Sequence, residues 1–132
     1  MKKITEQIRY INQLRRMKNL AIRAEYDNTR PQKEDLSEIG HIYEVFQQIA
    51  EPNCKDNTKI FVLIIFFLYS PVSLLNGRIC RGGVRREISK VLGLSNSAVT
   101  KHFVDAKSLI LYHKGFRDEA ERIYGEIQTA TQ

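Results

Sequence analysis

Hydrophobic residues recur three or four positions apart along much of this chain, with polar residues between them. Because this spacing places them on one face of a helix, it predicts amphipathic helices over residues 3–24, 35–50 and 116–128. The apolar positions of these helices are Ile4, Ile8, Ile11 and Leu14 in the first, Leu36, Ile39, Ile42, Tyr43, Phe46 and Ile49 in the second, and Phe116, Ala120, Ile123, Tyr124 and Ile127 in the third.

Ten consecutive apolar residues, from Ile60 to Tyr69, form the most hydrophobic stretch of the chain. As a helix this run is ~15 Å long, about half of a bilayer's hydrocarbon core, so we do not expect it to span a membrane. We expect a buried helix over 58–69, with Asn57 or Thr58 as its N-cap. Its β-branched and aromatic content leaves a buried strand as the alternative.

Proline, glycine and short polar runs divide these segments. The predicted breaks are a loop at 27–33 around Pro31, a turn at 51–57, a basic glycine-bearing loop at 78–83, and a hinge or cap at Gly115. Ser70 and Pro71 predict the start of a short helix, which Gly77 ends.

Two short helical patterns, 84–92 and 96–109, are separated only by Gly93-Leu94-Ser95. Ile88 and Leu92 share one face of the first helix, and Val99 and Phe103 share one face of the second. Gly93 suits a sharp turn with positive φ, and Ser95 can cap the second helix by accepting a hydrogen bond from a backbone N–H. The pattern predicts a helix-turn-helix over about 84–108 that packs on the 58–69 helix.

This segment resembles the helix-turn-helix DNA-binding superfamily. The residues that match the LuxR-type output domain are Glu87, Ile88, Leu92, Leu94, Ser95, Val99 and His102, whereas Ser89 and Ala98 stand where that family usually has Ala and Thr. Residues 97–99 are also similar to the second helix of lambda Cro, and residues 97–101 to the MarR recognition helix. Since three families match one segment, the resemblance is to the superfamily, and it implies DNA binding through the second helix.

The charge distribution agrees with an anionic partner. The chain carries a net charge of +6. Residues 57–114 hold nine Lys/Arg against two acidic residues, hence +7, whereas residues 25–56 hold three against eight, hence −5. The segment that contains the helix-turn-helix is therefore basic in its own right, as a phosphate-facing surface would be. The alternative is a solvated basic face that promotes solubility.

Helix-turn-helix proteins insert the N-terminal part of the second helix into the major groove. The residues expected to contact DNA are Asn96, Ser97, Thr100 and Lys101 at bases or phosphates, Ser95 at a phosphate, and Arg81, Arg85 and Arg86 at the backbone. The alternative for each is a surface residue without a partner. His102 is expected to pack at the helix edge.

The sequence contains few signals for a metal site, a cofactor or catalysis. Cys54 and Cys80 form no CxxC motif and no histidine lies near them at ligand spacing, so we expect no metal site and no cofactor. Two thiols and no signal peptide predict a cytoplasmic protein. Residues 113–117 resemble a fragment of tyrosine-recombinase chemistry with altered spacing, and no catalytic set stands out, so we do not expect an enzyme.

These patterns predict an all-α fold with a helix-turn-helix core, a buried preceding helix and flanking N- and C-terminal helices. Its parts are an N-terminal helical region (1–56), the DNA-binding region (57–114) and a C-terminal helix (115–132), in one compact domain. The predicted function is sequence-specific binding of double-stranded DNA by a small transcriptional regulator, as a homodimer through the flanking helices. The alternative is a helix-turn-helix interaction or adaptor module of a phage or mobile element.

Overall fold

The computed structural model describes residues 4–7, 9, 31–74 and 82–131, and these residues form helices without any strand. The helices are α1 (Ile39–Ile49), α2 (Asn57–Tyr69), α3 (Val84–Leu92), α4 (Asn96–Tyr112) and α5 (Lys114–Ala130), with short 3-10 helices at Leu36–Glu38 and Pro71–Leu74. Residues 4–7 and 9 are also helical. The predicted all-α fold is confirmed, and the strand alternative for the apolar run is wrong.

Some predictions fall outside the described residues. They concern the rest of the 3–24 helix, the first part of the 27–33 loop, the end of the short helix at Gly77, and residues 78–81 of the basic loop, with Cys80 and Arg81.

Helix α2 forms the centre of the core. Every residue from Ile60 to Tyr69 is at most 2% exposed. A helix that is apolar on all faces must be covered on all sides, and α1, α3, α4 and α5 pack around it. Aromatic pairs join α2 to three of these neighbours, with ring centroids 4.9 Å apart for Tyr43–Phe61, 5.3 Å for Phe46–Phe61, 4.1 Å for Phe66–Phe103 and 5.3 Å for Phe67–Tyr124. The buried helix predicted before the helix-turn-helix is confirmed.

The amphipathic helices α1 and α5 cover α2 with their apolar faces. The buried side chains are Ile39, Ile42 and Phe46 on α1, and Phe116, Ala120, Ile123, Tyr124 and Ile127 on α5. These positions are among those predicted from the 3.6-residue period, so the periodicity of both helices serves this chain's own core. The N-terminal segment also reaches this core, since Ile4 is fully buried.

Two predicted helix ends are wrong in detail. Helix α2 takes Asp56 as its N-cap, one residue before Asn57, and the Asn57 amide instead donates to the Glu51 carbonyl at 2.7 Å. Gly115 is neither a hinge nor a cap, because it lies inside the first turn of α5. The cap is His113, whose Nδ1 accepts a hydrogen bond from the Phe116 N–H at 3.2 Å. An imidazole lone pair here replaces the hydroxyl or carboxylate oxygen that usually caps a helix.

Candidate nucleic-acid interface

Helices α3 and α4 are joined by a tight turn that hydrogen bonds hold closed. Gly93 ends α3 with φ = 67°, a left-handed conformation that glycine adopts without strain. The N–H groups of Gly93 and Leu94 both donate to the Ser89 carbonyl, and the Ser89 hydroxyl donates back to the Leu94 carbonyl. Ser89 therefore stabilises the turn at the position where the LuxR-type pattern usually has alanine, a role that the sequence pattern did not indicate.

Ser95 caps α4 as predicted. Its backbone is extended, and its hydroxyl oxygen accepts a hydrogen bond from the Ala98 N–H at 3.1 Å. This bond satisfies one of the backbone donors that a helix leaves unpaired at its N-terminus. Ser95, Asn96 and Ser97 are all exposed, so the partly positive N-terminal end of α4 lies at the protein surface.

The inward faces of α3 and α4 agree with the predicted pattern. Ile88, Val99 and Phe103 are buried, whereas Leu92 and Leu94 are half-buried at the edge of the core. The stack of Phe103 on Phe66 fixes the middle of α4 against the central helix. The residues of α4 on the other side of the helix are consequently held facing away from the protein.

The predicted contact residues differ in their surroundings. Ser95, Asn96, Ser97, Lys101, Arg85 and Arg86 are exposed, Thr100 is half-buried, and Arg81 lies outside the described residues. Within the described part of the chain, the side chains of Ser97, Lys101 and Arg86 form no hydrogen bond or ion pair. On α3, Lys90 is engaged instead, because its Nζ lies 3.4 Å from Glu87 Oε1.

Arg85 is brought from α3 onto the outer side of α4. Its Nη1 donates to the Thr100 hydroxyl oxygen at 2.9 Å, and that hydroxyl donates to the Asn96 carbonyl at 3.0 Å. Since the Thr100 proton is already used, this hydroxyl acts as an acceptor that orients the guanidinium. The Nε and Nη2 donors of Arg85 remain on the side away from Thr100, in the geometry that pairs with two acceptor oxygens.

The exposed face of α4 continues beyond the predicted contact residues. Ser97, Lys101, Val104, Ser108 and Tyr112 are all exposed and follow one another at spacings of three or four residues. They form one stripe along the helix, which we call the outer stripe of α4. Of these, Val104, Ser108 and Tyr112 were not predicted from the sequence, although their helical spacing from Lys101 is the signal that identifies them.

The region formed by α3 and α4 is positively charged. Residues 84–112 contain five Lys/Arg and two acidic residues, a net charge of +3. Lys107 is excluded from the outer stripe, because its Nζ lies over the Phe103 ring, 4.9 Å from the centroid, and burial lowers the pKa of its amine. His102 is half-buried at the helix edge, and its Nδ1 has no hydrogen-bond partner among the described residues.

A concave region of about 450 Å³ lies between the N-terminal residues and α5. Its polar groups bind other parts of the protein. Glu121 Oε1 accepts hydrogen bonds from the Thr5 N–H at 3.1 Å and the Thr5 hydroxyl at 3.2 Å. Arg117 donates to the carbonyls of Ile110 at 3.0 Å and Leu111 at 2.9 Å. These bonds hold the N-terminal segment and the end of α4 against α5. We therefore interpret this cleft as a contact between parts of the fold.

No protein-family model, no curated protein and no solved structure matches this chain. Among the described helices, none combines the length and apolarity needed to cross a bilayer. The functional signal in this chain therefore lies in the exposed residues of α3 and α4.

Proposed function

We propose that this chain is a sequence-specific double-stranded-DNA-binding protein, a small cytoplasmic transcriptional regulator that binds through the N-terminal half of α4. The observation that carries the proposal is the placement of Asn96, Ser97 and Lys101 on the exposed start of a helix whose opposite face is fixed in the core. A rigidly supported helix with polar side chains at its start is what the major groove accepts.

The charges of the surface support an anionic partner. Arg86 and Lys101 are exposed and form no ion pair within the described part of the chain, whereas the described ion pairs of α5 join Lys114 to Asp118 and Arg122 to Glu119 and Glu126. Exposed cations without an ion-pair partner can neutralise phosphates, and the counterions condensed on the DNA are then released.

The residues take different roles in this proposal. Asn96, Ser97 and Lys101 face the base edges, since amide, hydroxyl and ammonium groups match the donors and acceptors of the major groove. Arg86 and Arg81 contact the phosphate backbone, and Ser95 and the N-terminus of α4 bind a phosphate through backbone N–H groups. Arg85, oriented by Thr100, presents two parallel donors to one phosphate.

The proposal includes pairing of two copies on half-sites about one DNA turn, ~34 Å, apart. The apolar positions of α1 and α5 are used in the chain's own core, so those helices lend no support to a homodimer in free solution. We therefore expect pairing to depend on DNA. The measurement is the stoichiometry on duplexes carrying one or two copies of a selected site.

The first experiment measures binding to random duplex DNA as a function of salt. We expect tight binding at about 50 mM salt and a linear fall of log K with log salt concentration. Arg86→Ala should weaken binding to all duplexes and reduce the salt slope by about one unit. Lys101→Ala should weaken a selected duplex more than random duplexes, by ~1–3 kcal/mol if Lys101 contacts a base.

The matched control is Lys55→Ala, which removes one exposed positive charge from the loop before α2. It should leave both affinity and salt slope near the wild-type values, because Lys55 lies outside the α3–α4 surface. If the wild type does not bind duplex DNA at low salt, or if Lys55→Ala is as damaging as Arg86→Ala, the proposal fails.

The second candidate is a protein-interaction or adaptor module of a phage or mobile element. The observation that favours it is the exposure of Val104 and Tyr112 on α4, at 54% and 83%. Exposed apolar side chains of this size suit a protein partner. Loss of DNA binding in the wild type would leave this candidate as the better interpretation.

A further inference from the structure

We propose that Val104 is a specificity-determining residue of the DNA interface and that it contacts the 5-methyl group of a thymine in the major groove. The inference rests on the proposed function and deepens it, because it assigns a base preference to a residue outside the predicted contact set.

The position of Val104 on α4 follows from the helix period. Val104 lies three residues after Lys101 and four after Thr100, so it occupies the next turn of the same face. The rise from Ser97 to Val104 is ~10 Å, which is the height of about three base pairs at 3.4 Å each. A helix that inserts Ser97 and Lys101 into the groove therefore brings Val104 to the groove floor or wall as well.

The exposure of Val104 is not explained by the fold. It is 54% exposed, whereas the apolar residues on the opposite side of α4, Val99, Phe103, Ala106 and Ile110, are at most 7% exposed. An apolar side chain at this position leaves surface in contact with water, and a partner that covers this surface gains hydrophobic free energy. The branched side chain is also stiff at χ1, so ordering it on a partner costs little entropy.

The chemical groups of the outer stripe indicate which kind of partner it fits. Between Ser97 and Ser108 the stripe carries the ammonium of Lys101 and no carboxylate. Asp105, the acidic residue of α4, is half-buried beside it. A cation next to an apolar group matches the major groove, where the thymine methyl is the apolar feature among hydrogen-bonding base edges and flanking phosphates. The small Ser97 and Ser108 side chains permit close approach on either side.

The experiment begins by selecting tight-binding duplexes from a random pool with the wild-type chain. Each thymine of a selected duplex is then replaced by uracil, which removes the 5-methyl group and leaves base pairing intact. We expect one position at which uracil weakens wild-type binding about fourfold, the loss of one buried methyl contact. With Val104→Ala, which truncates a side chain that is 54% exposed, the same replacement should have no effect.

The control variant is Tyr112→Ala, which removes the other large exposed apolar side chain of α4, ~12 Å further along the helix. It should keep the wild-type response to uracil. If no uracil replacement matters, or if Val104→Ala keeps the wild-type response, the inference is overturned while DNA binding stands.

Two other results would also overturn it. If Val104→Ala alters sedimentation of the free chain and leaves the uracil response unchanged, this face contacts a second copy of the chain. If the wild type binds no duplex at all, both the proposed function and this inference fail.

Discussion

Among individual residues, two glycines determine how the backbone enters and leaves α3. Gly83, before the helix, has φ = 90°, and Gly93, after it, has φ = 67°. Side-chain-bearing residues rarely adopt such angles, because Cβ approaches the neighbouring carbonyl. Gly83 carries a second constraint, since a Cβ added there would lie 2.8 Å from Leu36 Cδ1.

We predict that Gly83→Ala lowers the free energy of unfolding by about 1–3 kcal/mol through backbone strain and the close approach to Leu36. The neighbouring Gly82 has open space around it and no positive φ. Gly82→Ala is therefore a matched control and should change stability by at most about 0.5 kcal/mol. Urea denaturation of the three chains measures both effects, and equal losses in the two variants would contradict the assignment of strain to Gly83.

Among the helices, α4 has an N-cap, Ser95, that lies at the proposed DNA interface and also contributes to stability. We predict that Ser95→Ala lowers the free energy of unfolding by about 1 kcal/mol, because the Ala98 N–H loses its acceptor. Ser95→Asp should retain most of the stability, since a carboxylate can cap the helix and favours its dipole. Ser97→Ala is the control. Ser97 is exposed two residues after Ser95, and its side chain forms no hydrogen bond within the described part of the chain. Equal thermal midpoints for the Ser95→Ala and Ser97→Ala variants would sink the prediction.

Elements with a strong local signal could be predicted from the sequence. The period of apolar residues identified α1 and α5, and the unbroken apolar run identified α2. Gly93 and Ser95 located the boundary between α3 and α4 to the residue. These predictions succeed because burial of one helix face and the chemistry of a cap both depend on residues within a few positions of each other.

Features that depend on contacts between elements could not be predicted in this way. The bond from Arg85 to Thr100 joins residues 15 apart and depends on how α3 crosses α4. Gly115 was misread because histidine caps α5 in place of a residue with a stronger capping preference. Val104 was not predicted, because the expected contact residues were limited to the start of the second helix, up to Lys101.

In the molecule as a whole, a polar cluster around the buried Tyr124 joins three distant parts of the chain. The Gln32 amide donates to the Tyr124 hydroxyl at 3.2 Å, and the Gln128 amide donates to the same hydroxyl at 2.6 Å and to Gln32 Oε1 at 2.7 Å. The backbone N–H groups of Gln32 and Lys33 donate to the Leu68 carbonyl at the end of α2, at 2.9 and 3.1 Å. The segment before α1 is thereby held against both the central helix and α5.

Tyr124 makes the stability of the fold depend on pH in the alkaline range. Its side chain is 3% exposed, and burial raises the pKa of its hydroxyl above the ordinary value of 10.0. Burial disfavours the tyrosinate, so the folded state holds the proton at pH values where the unfolded chain has released it. The contribution of this group is therefore fully present below about pH 10 and is lost as the pH rises through the folded-state pKa.

We predict that Tyr124→Phe costs about 1 kcal/mol at neutral pH, because the amides of Gln32 and Gln128 lose a hydrogen-bond partner. The same variant should lose less stability than the wild type between about pH 8 and pH 11, since phenylalanine has no proton to release. Urea midpoints of both chains across this range isolate Tyr124 from the other tyrosines, which the two chains share. Parallel loss of stability in the two chains would mean that Tyr124 does not sense pH, and that its hydroxyl contributes to the fold through hydrogen bonding alone.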